Sequence, residues 1–169
     1  MSMKHPIIAV TGSSGAGTTT VKHTFEAIFE REHVNAAIVE GDSFHRHTRS
    51  EMKTLIEEAE RAGQRGISHF GPEANLFAEL ESLFRAYGEA ATGRRRHYIH
   101  NEAHAMRWNL PMGSFTEWED LPVGIDCLFY EGLHGALVTE DVNIARHVDL
   151  LIGVVPTINL EWMQKLHRD

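Results

Sequence analysis

Val10-Thr11-Gly12-Ser13-Ser14-Gly15-Ala16-Gly17-Thr18-Thr19-Thr20 decides how this chain reads. Upstream lies an apolar run, Ile7-Ile8-Ala9-Val10, and downstream a helical pattern from Val21 to Arg31. A strand, a glycine-rich turn and a helix form the setting that a phosphate-binding loop requires. Gly12 and Gly17 have the spacing G-x-x-x-x-G, and Thr19 holds the hydroxyl position that meets Mg²⁺ in such loops. The glycines let backbone N–H groups converge on a phosphate, and the positive end of the helix dipole favours its charge. The lysine expected after the second glycine is replaced by Thr18. Local sequence leaves two readings. One is a phosphate cradle of Gly12, Ser13, Ser14, Gly15, Ala16, Gly17, Thr18 and Thr19 whose cation comes from elsewhere. The other is a tight strand-to-helix turn rich in small residues.

The chain has 169 residues, enough for a single domain over 1–169 with a proper core. Apolar residues make up 42% and charged residues 24%, which is ordinary for a globular protein. A net charge of −8 argues against bulk binding to nucleic acid or to an anionic membrane, though not against a small anionic substrate. The single cysteine, Cys127, excludes an intrachain disulfide and fits a reducing, cytoplasmic setting. No apolar run has membrane-spanning length, and the start lacks the apolar core of a signal peptide. The 12 histidines are scattered without zinc spacing, and His45 with His47 reads as a solvated loop before it reads as a metal site.

Strand-like and helical runs alternate, which predicts βαβ units and an α/β fold with a mostly parallel sheet. Strands are expected at Ile7–Val10, Ala36–Val39, Cys127–Tyr130 and Val148–Val155. The last, being the longest apolar run, is expected at the centre of the sheet, covered on both faces. Helices are expected over Arg49–Ala62 and from Pro72-Glu73 until Gly88 and Gly93 break the second. Arg94–His100 reads as a short edge strand, Glu102–Pro122 as an irregular excursion, and Thr157–Asp169 as helical.

In open parallel sheets ligands bind at the carboxyl ends of the strands. Three expected strands end there in the phosphate loop, in Asp42 and in Glu131, and they converge if the strands are neighbours. Asp42 is then a candidate general base toward an attacking hydroxyl, or else a turn or N-cap aspartate after Gly41. Glu131 reads as a Walker-B-like Mg²⁺ carboxylate, or as a strand-end acid bonded to the next turn. His45, Arg46, Arg49 and Lys53 suit an anion such as a sugar phosphate, or a solvated loop whose cations pair with Glu57 and Glu51. Lys165 and Arg168 share a helix face and are candidates for the cation missing at Thr18, or they complement a helix C-terminus. Arg94-Arg95-Arg96 with Tyr98 and His100 reads as an exposed strand or a second anion contact rather than as a nucleic-acid patch.

Four stretches together resemble one family. They are Thr11–Thr18, Glu40-Gly41-Asp42-Ser43-Phe44-His45-Arg46, Phe129-Tyr130-Glu131-Gly132-Leu133-His134-Gly135 and Ile158–Asp169. They look like the proteobacterial type of phosphoribulokinase, a P-loop kinase, and the resemblance runs from Met1 to Asp169. Phosphoribulokinases transfer the γ-phosphoryl of ATP to ribulose 5-phosphate, making ribulose 1,5-bisphosphate for carbon fixation. The resemblance implies an adenylate-kinase-like mixed sheet flanked by helices, with ATP and Mg²⁺ as cofactors. It also implies a loop that lacks the usual lysine. It carries Asp42 as catalytic base, with Lys165 and Arg168 as catalytic-site cations. Gly12 to Thr19 become the ATP cradle, and His45, Arg49, Lys53 and His100 the acceptor contacts. Thr19, Glu131 and Asp169 fall near the metal. It further implies homo-oligomers, activation by NADH, inhibition by AMP and, with no cysteine near the loop, no thiol switch. The family continues beyond Asp169, so the chain is expected to be a truncated form with little activity by itself. A uridine-kinase-like enzyme and a non-catalytic nucleotide-binding domain are the rival readings.

Overall fold

The computed structural model describes residues 4–156. Four parallel strands form the sheet: β1 (Ile7–Gly12), β2 (Ala36–Glu40), β5 (Cys127–Gly132) and β6 (Leu150–Val154), in the order β2-β5-β1-β6. α1 (Thr18–Arg31) covers one face and α3 (Phe77–Ala90) the other. Alternation along β5 divides the core. Leu128 and Tyr130 join Leu80, Leu83, Phe84 and Tyr87 of α3. Cys127 and Phe129 join Phe29 of α1, with Phe25 packed alongside. Both faces of β1 and β5 are thus dry, which is why they read as continuous apolar runs. Each fully buried aromatic or aliphatic side chain contributes about 1.5–3 kcal/mol of transfer free energy.

Register aligns the strand ends. Val10 and Glu40 each stand opposite Glu131, and Gly12 stands opposite Val154. The carboxyl ends of β1, β2 and β5 therefore open on one edge. α2 (Arg49–Arg61) begins with a capping box, in which Thr48 and Glu51 satisfy each other's backbone N–H groups.

Five expectations are corrected. Val148–Val155 is not central: among the described residues β6 pairs only with β1, and Leu150 and Leu151 are 48% and 45% exposed. An apolar run signals contact with a core, not a position within the sheet. The helix expected at Pro72 begins at Phe77, because Ala74–Leu76 pair with the Asp42 turn instead; Arg46 N–H donates to Ala74 and Leu76 N–H to Phe44. Gly88 lies inside α3 without breaking it. In the excursion, α4 (Glu102–Trp108) is capped by Asn101, which accepts from His104 N–H, and ends at a left-handed Asn109. The edge strand is reduced to β3 (Arg94–Arg95) against β4 (Glu119–Asp120).

Candidate active site

Between Gly12 and Thr18 the backbone folds back on itself. Ala16 N–H donates to Ser13 C=O, and Thr20 and Val21 N–H to Gly17 C=O. Gly17 is the helix N-cap at φ +97°, a left-handed value that glycine takes without strain. The first turn of α1 carries no acidic side chain, so nothing on the helix neutralises its positive end. Two further glycines bring β2 against β5. A Cβ on Gly41 would lie 2.5 Å from the Tyr130 hydroxyl, and one on Gly132 would lie 2.8 Å from the Gly41 Cα. Only bare backbone allows that approach, and it sets the Asp42 turn beside the end of β5.

A crevice of about 860 Å³ results. Gly12, Ser13, Ser14, Gly15, Gly17, Thr18 and Thr19 border it on one side, Asp42, His45 and His100 on the other, and Glu131 between. Ala16 sits behind the loop, buried. Arg49 and Lys53 line an adjoining cavity of about 340 Å³ that His45 also borders. Lys53 is exposed and lies 3.8 Å from Glu57, which also takes Arg61, so one of the pairs expected of a solvated helix is present. Glu51 is occupied by Thr48. Lys165, Arg168 and Asp169 lie outside the described residues.

Asp42 sits in a 3-10 turn, Gly41–Phe44. Its carboxylate lies 3.4 Å from His45 Nε2 and 3.9 Å from His100 Nδ1. Asn75 is buried and gives both amide hydrogens to the carbonyls of His69 and Gly71, so its oxygen faces His45 Nδ1 at 2.9 Å. That oxygen asks Nδ1 to donate, and Asp42 asks Nε2 to donate. Both are met only by the imidazolium. Burial opposes the charge on His45, but Asp42 and Asn75 outweigh it and raise its pKa. Burial likewise opposes the Asp42 charge, and His45 outweighs it, keeping Asp42 ionised below the usual carboxylate range. Glu40, at the end of β2, accepts from His100 at 3.4 Å and from Lys22 at 2.5 Å. His100 and then Lys22 hold its pKa at about 2 against burial.

Local sequence did not point to three of these groups. Lys22 follows Val21 in α1, and no motif singles it out. Asn75 lies in a stretch that reads as helix. Arg96, read as part of an exposed strand or a second anion contact, turns inward: its guanidinium donates to Ser43 C=O at 2.8 Å and to His45 C=O at 2.5 Å. Phe115 lies 3.8 Å beneath it, and Trp118 lies 4.9 Å away. Arg96 thus clamps the Asp42 turn, while Arg95 donates to Ile38 C=O of β2. The aromatic residues of an otherwise aperiodic excursion were the only local sign of this shelf.

The arrangement offers a backbone anion cradle, an ionised carboxylate across from it and a second carboxylate between them. No three metal-ligating side chains cluster among the described residues. Glu131 and Thr19 are oxygen donors on the crevice, which suits Mg²⁺ held by one or two protein oxygens together with nucleotide phosphates.

The model of the Phosphoribulokinase / Uridine kinase family matches residues 7–169. Phosphoribulokinase of Nitrobacter vulgaris is 60% identical over the whole chain, and phosphoribulokinase 1 of Cereibacter sphaeroides 57%. The chain spans 58% of the length of each. The solved phosphoribulokinase from Rhodobacter spheroides matches 98% of the chain with a TM-score of 0.84 and 53% identity, over 56% of its own length. A possible uridine kinase from Bacillus stearothermophilus matches 99% of the chain over 82% of its own length, at a TM-score of 0.58 and 12% identity, a likeness of fold. With its parallel sheet, its glycine-rich loop and these relatives, the chain belongs to the phosphoribulokinase / uridine kinase family.

Proposed function

We propose that this chain carries the phosphoryl-transfer centre of a phosphoribulokinase, which moves the γ-phosphoryl of ATP to the C1 hydroxyl of ribulose 5-phosphate. One observation carries the reading: the glycine-rich loop, Asp42 and Glu131 face each other across a single crevice, in a chain 60% identical to named phosphoribulokinases. Backbone N–H groups from Gly12 to Thr19 hold the nucleotide phosphates. Asp42, kept ionised by His45, takes the proton of the acceptor hydroxyl as the bond to phosphorus forms. His45, whose pKa is raised by Asp42 and Asn75, stands with Arg49, Lys53 and His100 as the contacts for a phosphorylated acceptor. Mg²⁺, held by Thr19, Glu131 and Asp169, would neutralise charge on the transferring phosphoryl group. Lys165 and Arg168 belong to the same reading as catalytic-site cations.

A cytoplasmic location, homo-oligomeric assembly and effector responses to NADH and AMP go with this proposal. Gel filtration and effector titrations test the last two. The central experiment is phosphate transfer from ATP with ribulose 5-phosphate or uridine as acceptor. In a chain of the length of the curated relatives, transfer to the sugar phosphate alone is expected. Transfer to uridine alone would assign the chain to the nucleoside kinases of the family. ATP binding without transfer to either would leave only a nucleotide-binding role.

A further inference from the structure

The crevice is acidic where a polyanion is to bind. Glu40, Asp42 and Glu131 border it, and a nucleoside triphosphate adds several negative charges. Backbone N–H groups supply partial charges, not a full one. Among the described residues lining the crevice there is one lysine and no arginine: Lys22.

The helix sets where that lysine lies. It is four residues after Thr18, the position where the loop lacks its lysine, and about 6 Å further along the axis. Long side chains on a helix lean back toward its N-terminus. A four-carbon stem rooted at Lys22 therefore returns its ammonium toward the level of Thr18 and Thr19. The side chain is only 12% exposed, and Glu40 holds the ammonium at 2.5 Å. Glu131 acts on it as a second attracting carboxylate.

We propose that Lys22 is the cation facing the terminal phosphates of the bound nucleotide, in place of the lysine that position 18 lacks, with Glu40 holding it ready. This rests on the phosphate-cradle reading of Gly12–Thr19. The ammonium has three donors, so it can turn to a phosphate oxygen without leaving the crevice. Glu40 competes with the nucleotide for it. A lysine that merely ties α1 to β2 would behave differently, because Glu40 would then matter as much as Lys22.

Mg²⁺-ATP affinity, measured by calorimetry on the whole chain and on Lys22→Met, Glu40→Gln and the double variant, separates the two. Lys22→Met should weaken ATP about 30-fold or more, the scale of a lost charge-assisted contact. Glu40→Gln should bind ATP as well as the parent or better. The double variant has no lone buried carboxylate and reads the result even where Lys22→Met folds poorly. It should stay about tenfold or more weaker than the parent. A double variant within about threefold of the parent would overturn the proposal, since balanced charge would then suffice. Equal losses in the two single variants would also overturn it, by making the pair a strut. A folded parent that binds no ATP would instead defeat the phosphate-cradle reading itself, and this proposal with it.

Discussion

The two walls of the crevice are built by different means. The wall proposed for the nucleotide, Gly12–Thr19, is contiguous chain whose geometry comes from glycines and a helix start. The wall proposed for the acceptor is assembled. Asp42 comes from a turn after β2, His45 is oriented by Asn75, the turn is clamped by Arg96, and His100 precedes α4. One wall is a local property of a dozen residues. The other exists only when segments 20 to 60 residues apart are packed. It follows that damage to one wall should leave the other intact.

Gly17→Val should show the largest effect. No atom lies within 4 Å of a Cβ at Gly17, so the fold has room. The left-handed backbone costs about 1–2 kcal/mol with a side chain present, and the valine occupies phosphate space. ATP binding should be abolished while the melting temperature drops by only a few degrees. Calorimetry beside thermal unfolding checks it, and a total loss of fold would show that the walls are not separable.

Asp42→Ala breaks the other wall at its chemical centre. In a full-length context, kcat for ribulose 5-phosphate should fall about 10²–10⁴-fold with little change in KM. A rise in KM alone would make Asp42 a binding residue.

Arg96→Met sharpens the comparison, because Arg96 lines neither the crevice nor the adjoining cavity. Loss of the clamp should lower kcat about 10- to 100-fold, as for a small misplacement of a catalytic group. ATP affinity should stay within about twofold, and the gap between those two numbers measures how independent the walls are. Hydrogen exchange should rise over residues 41–46 and not over 12–20. Arg96→Lys should recover part of the loss.

The smallest effect concerns Glu40, which touches both walls through Lys22 and His100. A carboxylate held at about 2 against an ordinary 4.5 contributes stability that is complete above about pH 4.5 and fades as pH falls toward 2. Melting temperatures followed from pH 6 to 2 should fall more steeply in the parent than in Glu40→Gln. Parallel curves would mean that the ion pairs contribute nothing net.

The sequence by itself determined the α/β class, the place of β1, β2 and β5 along the chain and the glycine-rich turn into α1, because each depends on short-range spacing of apolar residues and glycines. It also marked Asp42 and Glu131, since a polar residue directly after an apolar strand stands at the carboxyl edge wherever the strand goes. The tertiary structure alone decided that β5 lies between β1 and β2, which makes the three strand ends one crevice. It decided that Val148–Val155 supplies a strand paired only with β1 among the described residues, since apolarity measures burial and not neighbours. It decided that Ala74–Leu76 pair with a turn rather than opening a helix, because the Phe44 and Ala74 backbone bonds outcompete local preference. Above all it decided the partners of charge. Lys22, Asn75 and Arg96 look like ordinary polar residues in a chain read from end to end. Each acquires its role from a carboxylate, a ring or a carbonyl that only folding brings within reach.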